Sequence, residues 1–500
     1  MSKWPKSRAL GYGGATELSS ARRTGILAIC CMSLLIVQLD VTIVNVALPS
    51  IGRQLRAPVS GLQWTIDAYT LVVASFLMLA GSTADRIGRR KVFRIGLGVF
   101  TLGSLACSLA PSLTWLVVFR ALQALGGSML NPVAVSIIRN TFADPRERAH
   151  AIGIWGAVTG LGMALGPVLG GLLVQSIGWR SIFWVNIPVG IAAVILTTAF
   201  VPESKASSAR RIDPAGQVLI IVVLASLTYA IIEGPSHGWS SPEITGLFAL
   251  ALAGLVSLVP FELRRDQPLV EIRFFKSVPF TGATVVAVVS FVAFGGYLFL
   301  NTLYLQEVRG LSALRAGLDT LPMAAVMALM SSISGRLVGR LGTRPSLMFA
   351  GTCMALGSLL LTGLSPGTSF AHLFTSYVIF GAGFGAVNAP ITNTAVSGMP
   401  ASQAGVAAAI ASTSRQVGQT LGVALVGSAA AAGLSSGAVT GGFTSATHVC
   451  WWVLTGCGVL VLALGVFTTT SWSQRTARRT ASRFDFSDGP VRPTEAVGGS

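Results

Sequence analysis

Charged residues are scarce in this chain, and they are unevenly divided by sign. Of 500 residues only 11% are charged, with 35 Lys and Arg against 18 Asp and Glu, and the mean hydropathy is +0.70. Apolar runs of about twenty residues recur along the whole length, and that length matches the thickness of a bilayer. The composition therefore excludes a string of soluble domains and indicates a polytopic membrane protein.

Several signatures of enzymes are also missing. The phosphate-binding pattern GxxxxGK[ST] does not occur, which argues against an ATP-driven pump, and no pairing of a nucleophile with a base is evident. The six cysteines lie in or at apolar runs without ligand-like spacing, and the four histidines fall at loops or run edges. We therefore expect no catalytic residue, no metal site and no cofactor, with an ion gradient as the energy source.

The apolar runs predict an all-α chain of fourteen membrane-spanning helices. The bilayer core holds no water for unpaired backbone groups, and the runs lack the alternation of barrel strands. Residues 1–24 are polar and basic, so we expect no cleavable signal peptide. The predicted spans are 25–48, 62–83, 92–110, 114–138, 150–174, 181–201, 215–233, 244–262, 280–305, 313–335, 346–364, 371–396, 404–430 and 448–471.

Positive charge indicates which side of the membrane holds the termini. Of the 35 Lys and Arg, 28 lie in the two tails or in and next to the even-numbered connections, five lie in or next to the odd-numbered connections, and two lie deeper within spans. The positive-inside rule then places both termini in the cytoplasm. Because the net charge of +17 is spread over short loops, we expect contact with anionic lipid and no nucleic-acid partner.

An internal repeat divides the predicted spans. The segment "GSTADRIGRR" (81–90) matches "GRLVGRLGTR" (335–344) at four spaced Gly and Arg positions, each time after the second helix of a group of six. The predicted segments are a cytoplasmic tail at 1–24, a six-helix half at 25–201, linkers and two inserted helices at 202–279, a second six-helix half at 280–471, and a cytoplasmic tail at 472–500.

Three ionisable residues in the first half are predicted to share one level of the membrane. Asp40 lies about 12 Å from the outer end of span 1, Arg120 about 9 Å into span 4 and Asp67 about 8 Å into span 2, at 1.5 Å per residue. Isolated charge in hydrocarbon is costly, so we expect pairing. One hypothesis is that Asp40 or Asp67 binds a coupling proton and Arg120 sets its proton affinity. The alternative is a static pair that only joins helices.

Several motifs, in order along residues 25–471, give the chain a specific resemblance. The sequence resembles the fourteen-helix drug:proton antiporter branch of the major facilitator superfamily and is similar to methylenomycin-type resistance and multidrug exporters. The motifs are "LDVTIVNVALPSI" (39–51), "QWTIDAYTL" (63–71), "GSTADRIGRRK" (81–91), "RALQALGGSMLNP" (120–132), "GMALGPVLGG" (162–171), "GWRSIFWVNIPVG" (178–190) and "SRQVGQTLGVAL" (414–425).

The resemblance implies two further sites. The loop between spans 2 and 3 is similar to a cytoplasmic gating loop, in which the acid faces a helix N-terminus of the other half. The glycine run in span 5 resembles the signature of exporters, in which glycines let a neighbouring helix approach and proline permits a bend. The gating loop comprises Gly81, Asp85, Arg86, Gly88, Arg89 and Arg90, and the antiporter motif comprises Gly162, Gly166, Pro167, Gly170 and Gly171.

The expected function is proton-coupled efflux of lipophilic or cationic small molecules, such as antibiotics, by a monomer in the bacterial cytoplasmic membrane. Alternating access between the two halves would move the compound outward and the proton inward. The candidate cavity residues are Asn45, Tyr69, Trp155, Asn301, Asn388 and Arg415. The alternatives are proton-coupled uptake of a small metabolite and a membrane sensor without transport.

Overall fold

The computed structural model describes residues 19–206, 213–265, 267–397, 399, 403–434 and 441–485. The predicted tails and the middle of the first linker therefore lie partly outside the described residues. The α-helices are Ser20–Leu55 (α1), Val59–Ile87 (α2), Arg89–Ser108 (α3), Leu113–Thr141 (α4), Pro145–Ser176 (α5), Ser181–Trp184 (α6), Asn186–Phe200 (α7), Pro214–His237 (α8), Pro242–Leu263 (α9), Val278–Leu303 (α10), Ala313–Asp319 (α11), Leu321–Leu341 (α12), Thr343–Leu359 (α13), Phe370–Val396 (α14), Ala404–Leu434 (α15), Gly441–Phe467 (α16) and Ser471–Asp485 (α17).

The prediction of an all-α membrane protein is confirmed, whereas the count of fourteen spans is not. Within the described residues, twelve helical segments are long and apolar enough to cross a bilayer. Helices α13 and α15 coincide with predicted spans but fall outside that set. Helix α13 has only 17 residues, short of the twenty or so that a span needs. Helix α15 has 31, but polar side chains between Ser412 and Thr420 interrupt its apolar sequence.

One end of the bundle, here called the basic side, carries the arginine-rich connections. Arg22 Nε donates to the Phe200 carbonyl at 3.2 Å, which brings the start of α1 to the end of α7. The Ala206 amide donates to the Asp85 carbonyl at 3.0 Å, which adds the end of α2. Arg23 pairs with Glu147 at the start of α5 at 2.5 Å. The first, second, fifth and seventh helices therefore have the basic side in common.

The other end of the bundle is here called the opposite side. Arg180, in the connection between α5 and α6, donates to the Ala110 carbonyl at 3.0 Å and to Gln54 at 3.3 Å. The Tyr304 hydroxyl donates to the Ser365 carbonyl at 2.6 Å, and it lies in a π-helical turn after α10. Because the helices alternate between these two ends, the bundle has the dimensions and connectivity of a membrane-spanning fold.

The helices pack as two groups with a hairpin beside them. Helices α1 to α7 pack chiefly on one another, and α10 to α16 do the same. The groups meet along two seams: one between α2 and α15, the other between α5 and the pair α11 and α12. Helix α8 packs against both α2 and α15, with α9 behind it. The predicted boundaries of the two halves stay a prediction, since packing alone does not define rigid bodies.

The structure also contains a helix that sequence reasoning treated as tail. Helix α17 has an amphipathic pattern, with Ala477 and Thr480 buried and Arg475, Arg478 and Arg479 exposed. It packs on α10, where the Thr476 hydroxyl accepts a hydrogen bond from the Val278 amide at 3.0 Å. Its arginines lie at the basic side, in keeping with the charge pattern of the other connections.

Candidate functional site

A buried polar network surrounds Asp40 in the middle of α1. The carboxylate has no exposed surface, and its Oδ2 accepts a short hydrogen bond from Arg120 Nη1. Its Oδ1 accepts from Gln123 Nε2 at 2.7 Å and from Asn186 Nδ2 at 3.1 Å. Gln123 also donates to Ser104 at 2.8 Å. Helices α1, α3, α4 and α7 are therefore linked through one carboxylate.

Arg120, like Asp40, has several hydrogen-bond partners. Its Nε donates to the Thr65 carbonyl at 3.1 Å, and Nη1 also donates to Gln123 Oε1 at 2.7 Å. The guanidinium lies over the Tyr69 ring, 4.4 Å from the centroid, and 5.9 Å from that of Phe183. The side chain is 1% exposed. The predicted ion pair of Asp40 and Arg120 is thus present. Hydrogen-bond partners and aromatic rings surround its two charged groups.

Asp67 shares the depth of the pair but faces elsewhere. It is completely buried, and its Oδ1 accepts from the Thr70 hydroxyl at 3.3 Å, while Oδ2 has no partner. The Thr420 hydroxyl of α15 donates to Thr70 at 2.8 Å. Asp67 therefore lies in the seam between α2 and α15, and no ion pair joins it to another described residue. The depth calculated from the sequence did not show that Asp40 and Asp67 face different helices.

Gln123, Asn186 and Ser104 were not among the predicted site residues. Gln123 follows Arg120 by three positions, so the helix places both on one face, and that spacing was a usable signal. Asn186 lies within the motif "GWRSIFWVNIPVG", but nothing in the motif indicates its contact with α1. A single serine in an apolar helix carries no signal by itself.

Two of the predicted cavity residues line one pocket. Asn45 and Asn301 border a cleft among α1, α5, α10 and α11 together with Thr42, Thr302 and Thr320. Asn301 Oδ1 accepts from the Tyr377 hydroxyl at 2.7 Å, whereas its Nδ2 has no partner. The cleft therefore has both polar and apolar walls and one free amide donor, and its volume of about 20 Å³ has room for no more than a water molecule in this conformation.

Tyr69 and Trp155 occupy different environments. Tyr69 is 1% exposed beneath Arg120, so it belongs to the charged network rather than to an accessible wall. Its hydroxyl has no partner. Trp155 is partly exposed on α5, and its indole Nε1 is also without a partner. The exposed part of Trp155 is therefore its apolar ring surface, whereas its donor atom is enclosed.

Asn388 and Arg415 lie on neighbouring helices α14 and α15. Arg415 Nη2 donates to the Thr392 hydroxyl at 2.5 Å, and Thr392 donates to the Asn388 carbonyl at 3.1 Å. Arg415 Nε is enclosed without a partner, although the side chain as a whole is partly exposed. In the described part of the chain, no carboxylate forms an ion pair with Arg415.

The predicted gating loop lies at the basic side, where its acid is paired within the loop. Asp85 Oδ1 accepts from Arg89 Nε at 3.1 Å and Nη2 at 2.9 Å. Glu203, which sequence reasoning missed, accepts from the Arg90 amide at 3.0 Å. Gly88 has φ +126°, and a Cβ there would lie 2.6 Å from the Glu203 carboxylate. A glycine is thus required twice over, by its backbone angle and by the acid beside it. The side chain of Arg86 is exposed, and Gly81 is partly exposed.

The glycines of the predicted antiporter motif face two different helices. Gly162, Gly166 and Gly170 pack on α1: a Cβ at Gly170 would lie 2.7 Å from Ile43. Gly171 faces α11 instead, where a Cβ would lie 2.5 Å from the Ala313 carbonyl oxygen. The Pro167 carbonyl lies against Gly317 of the same helix α11. The motif therefore serves packing within one group and also the seam between the groups.

The two groups are in contact at the opposite side and separated at the basic side of α5 and α12. Gln306 Nε2 donates to the Val46 carbonyl at 2.9 Å, and Gln63 Nε2 donates to the Ala424 carbonyl at 2.8 Å. Nearer the basic side of α5, a Cβ at Gly153 or Gly156 would meet no heavy atom within 4 Å. The same is true of Gly335 on α12. The described contacts between α5 and the second group therefore lie toward the opposite side, and none is made at these three glycines.

Two packed helix groups with a buried ion pair inside the first are typical of an integral membrane transporter. The chain belongs to the Major Facilitator Superfamily, whose family model matches residues 30–423. The fold is similar to that of a bacterial homologue of the human lysosomal transporter Spinster, crystallised in an inward-facing and occupied conformation. The TM-score is 0.67 at 17% identity, covering 93% of this chain and 99% of that one.

Relatives in the same family are resistance proteins. The chain is 40% identical over 416 residues to the multidrug resistance protein Stp of Mycobacterium tuberculosis, covering 83% of this chain and 77% of that protein. It is 32% identical to the methylenomycin A resistance protein of Streptomyces coelicolor, covering 83% and 86%. The resemblance inferred from the motifs is thereby confirmed.

Proposed function

We propose that the chain exports lipophilic small molecules, antibiotics among them, in exchange for protons. The observation that carries the proposal is the buried network of Asp40, Arg120, Gln123 and Asn186. Charge placed in the membrane interior is costly, and it marks ion pathways more often than structural joints. The resistance activities named for the relatives support export rather than uptake.

Two acids are available to bind the coupling proton. Asp67 has one oxygen without a partner, so it can accept a proton without breaking a bond in this conformation. Protonation of Asp40 requires that its pairing with Arg120 be loosened. Because Arg stays charged in either case, movement of Arg120 relative to Asp40 is the natural switch of this network.

Alternating access follows from the two seams. In the present conformation the two groups are joined at the opposite side, so a compound would enter from the basic side, and the small cleft at Asn45 and Asn301 would have to widen to bind it. We propose that the basic side is the cytoplasm, which places both termini there and lets the compound enter from the cytoplasm or the inner leaflet. Rocking of the helix groups would then open the opposite side to release the compound.

The remaining elements of the proposal concern the setting of the transporter. We propose that it acts as a monomer in the bacterial cytoplasmic membrane, driven by the proton gradient and needing no bound cofactor. The gating loop is proposed to hold the basic side shut when the groups rock the other way. In that conformation Asp85 would exchange its contact with Arg89 for the N-terminal end of a helix in the other group.

The test is compound-driven proton movement in proteoliposomes. Purified wild-type protein is compared with Asp40→Asn and Asp67→Asn against cationic dyes and antibiotics that include methylenomycin A, with a pH-sensitive dye in the lumen. Glu243→Gln is the control, since this acid is exposed at the start of α9. We expect proton movement that needs a compound, persists in the control and is lost in at least one of the two Asn variants.

Each outcome has a distinct meaning. Loss in Asp40→Asn alone assigns coupling to the network, and loss in Asp67→Asn alone assigns it to the seam between α2 and α15. Proton movement in the same direction as the compound contradicts export by antiport and favours uptake. Absence of transport across the whole panel, with the protein folded, favours a sensor without transport.

A further inference from the structure

We propose that Arg415 is the recognition point for an acidic group on the transported compound, so that the substrates include lipophilic aromatic anions. This inference rests on the proposed export function and names a class of substrate for it. The balance of charge in the membrane interior supports it. The other buried ionisable side chains of the predicted site either form an ion pair or are completely buried between helices.

The three predicted buried charges of the first group leave no free charge in the cavity. Asp40 and Arg120 neutralise each other and are 0% and 1% exposed. Asp67 is completely buried between α2 and α15. Arg415 differs from all three, since it is partly exposed and the described residues offer it one hydroxyl, that of Thr392.

A cation in this position needs an anion. A guanidinium that is taken out of water without a carboxylate loses more solvation than a single neutral hydrogen bond restores. Its enclosed Nε has no partner at all. A planar oxyanion, such as a carboxylate or sulfonate, matches the fork of donors that Arg presents. A cationic compound, by contrast, would be repelled at this point of the cavity.

An aromatic cluster lies near this cation; Phe294 and Phe384 are buried, at 2% and 1% exposed, and Phe291 is the member that can contact an aromatic body attached to the anion. Phe294 and Phe384 stack with centroids 4.0 Å apart, and Phe291 meets Phe384 edge-on at 5.0 Å. Phe384 lies one helical turn from Asn388 on the same face of α14. Phe291 keeps part of its surface exposed.

The distance between the cation and the aromatic cluster can be read along the helices. Gly418 of α15 packs on the backbone of Val288 in α10. Arg415 lies three residues from Gly418 and Phe291 three residues from Val288, in opposite directions along the two parallel helices. The axial separation is therefore about 9 Å. That span fits an aromatic acid of two or three rings.

The test uses two probes that share one skeleton. 1-Anilinonaphthalene-8-sulfonate carries an anionic group, and N-phenyl-1-naphthylamine is its neutral counterpart; both become fluorescent in apolar sites. Binding is measured to the full chain in lipid nanodiscs, with empty nanodiscs subtracted. Arg415→Gln removes the charge and Arg415→Lys keeps it. Arg336→Gln is the matched control, because Arg336 is exposed at the basic end of α12.

We expect the anionic probe to bind saturably and to lose about tenfold or more in affinity in Arg415→Gln, as for loss of a charged hydrogen-bonded pair. Arg415→Lys should lose less, Arg336→Gln should match wild type, and the neutral probe should change less than about twofold in every Arg variant. Phe291→Ala should weaken both probes. Thermal unfolding of each variant confirms that it is folded.

Two results would overturn the inference: no saturable binding of the anionic probe, or an equal effect of Arg415→Gln on both probes. Either result leaves the export proposal intact, because that proposal is tested by proton movement and by the Asp40 and Asp67 variants. Conversely, charge-selective binding without any proton movement would support the site and contradict export.

Discussion

At the scale of single residues, Arg120 makes four contacts that a lysine cannot make together. It donates to Asp40, to Gln123 and to the Thr65 carbonyl, and its flat guanidinium lies over Tyr69. An ammonium group is a compact charge without a planar face, so it reaches fewer of these partners at once. The identity of the cation matters here as well as its charge.

Arg120→Lys is therefore expected to impair transport strongly although the charge is kept. Losing the bond to one buried partner costs about 1–3 kcal/mol, which corresponds to about a fivefold to hundredfold effect on a step that uses the network. The measurement is the compound-driven proton flux in proteoliposomes. Arg309→Lys serves as the control, because Arg309 binds the Thr368 carbonyl at the opposite side. Equal flux in Arg120→Lys and wild type would contradict this reading.

The sequence was sufficient to find the charged pair but not the direction of each side chain. Hydropathy and a rise per residue give depth, and depth correctly matched Asp40 with Arg120. Depth does not give rotation about the helix axis, so it placed Asp67 with the pair, whereas the side chain faces Thr70 and α15. Amides such as Asn186 were missed because their partners lie far away in sequence.

At the scale of helices, the glycine motif of α5 contacts two different neighbouring helices. Three of its glycines let α1 approach, a contact within one group that need not change during transport. Gly171 instead lies against the backbone of α11 in the other group. The motif was readable from sequence, but this division was not, since it depends on which neighbour each face meets.

Gly171→Ala is expected to weaken closure of the opposite side. The added Cβ would lie 2.5 Å from the Ala313 carbonyl oxygen, so the seam must part. Overpacking of this kind costs about 1–3 kcal/mol, enough to shift the equilibrium between closed and open forms by about fivefold to a hundredfold. A cysteine at position 45, made by Asn45→Cys, should then react faster with an impermeant thiol reagent from outside.

The matched control for this element is Gly153→Ala on the same helix. A Cβ at Gly153 meets no heavy atom within 4 Å, so labelling at position 45 should equal that of the parent protein. If Gly171→Ala leaves labelling and transport unchanged, the seam between α5 and α11 tolerates a methyl group and does not govern closure.

At the scale of the whole molecule, the closed end depends on packing more than on charge. Arg53 and Glu307 form an ion pair of 2.8 Å between the two groups, yet their side chains are 62% and 46% exposed. Exposed pairs contribute about 0–1 kcal/mol. The buried bonds of Gln306 to Val46 and of Gln63 to Ala424, with the close approach at Gly171, are the stronger determinants of closure.

The same exposed pair offers a direct test of rocking between the groups. Arg53→Cys combined with Glu307→Cys, joined by a short impermeant thiol cross-linker, should stop transport because the opposite side is then unable to open. Gln54→Cys with Arg180→Cys is the matched control: the two native side chains lie 3.3 Å apart at the same side but within one group. Three of the six natural cysteines are partly exposed, so all six are first replaced by Ala and only the introduced thiols can react. Transport that continues after cross-linking of Arg53→Cys and Glu307→Cys would mean that the two helix groups do not separate at this end.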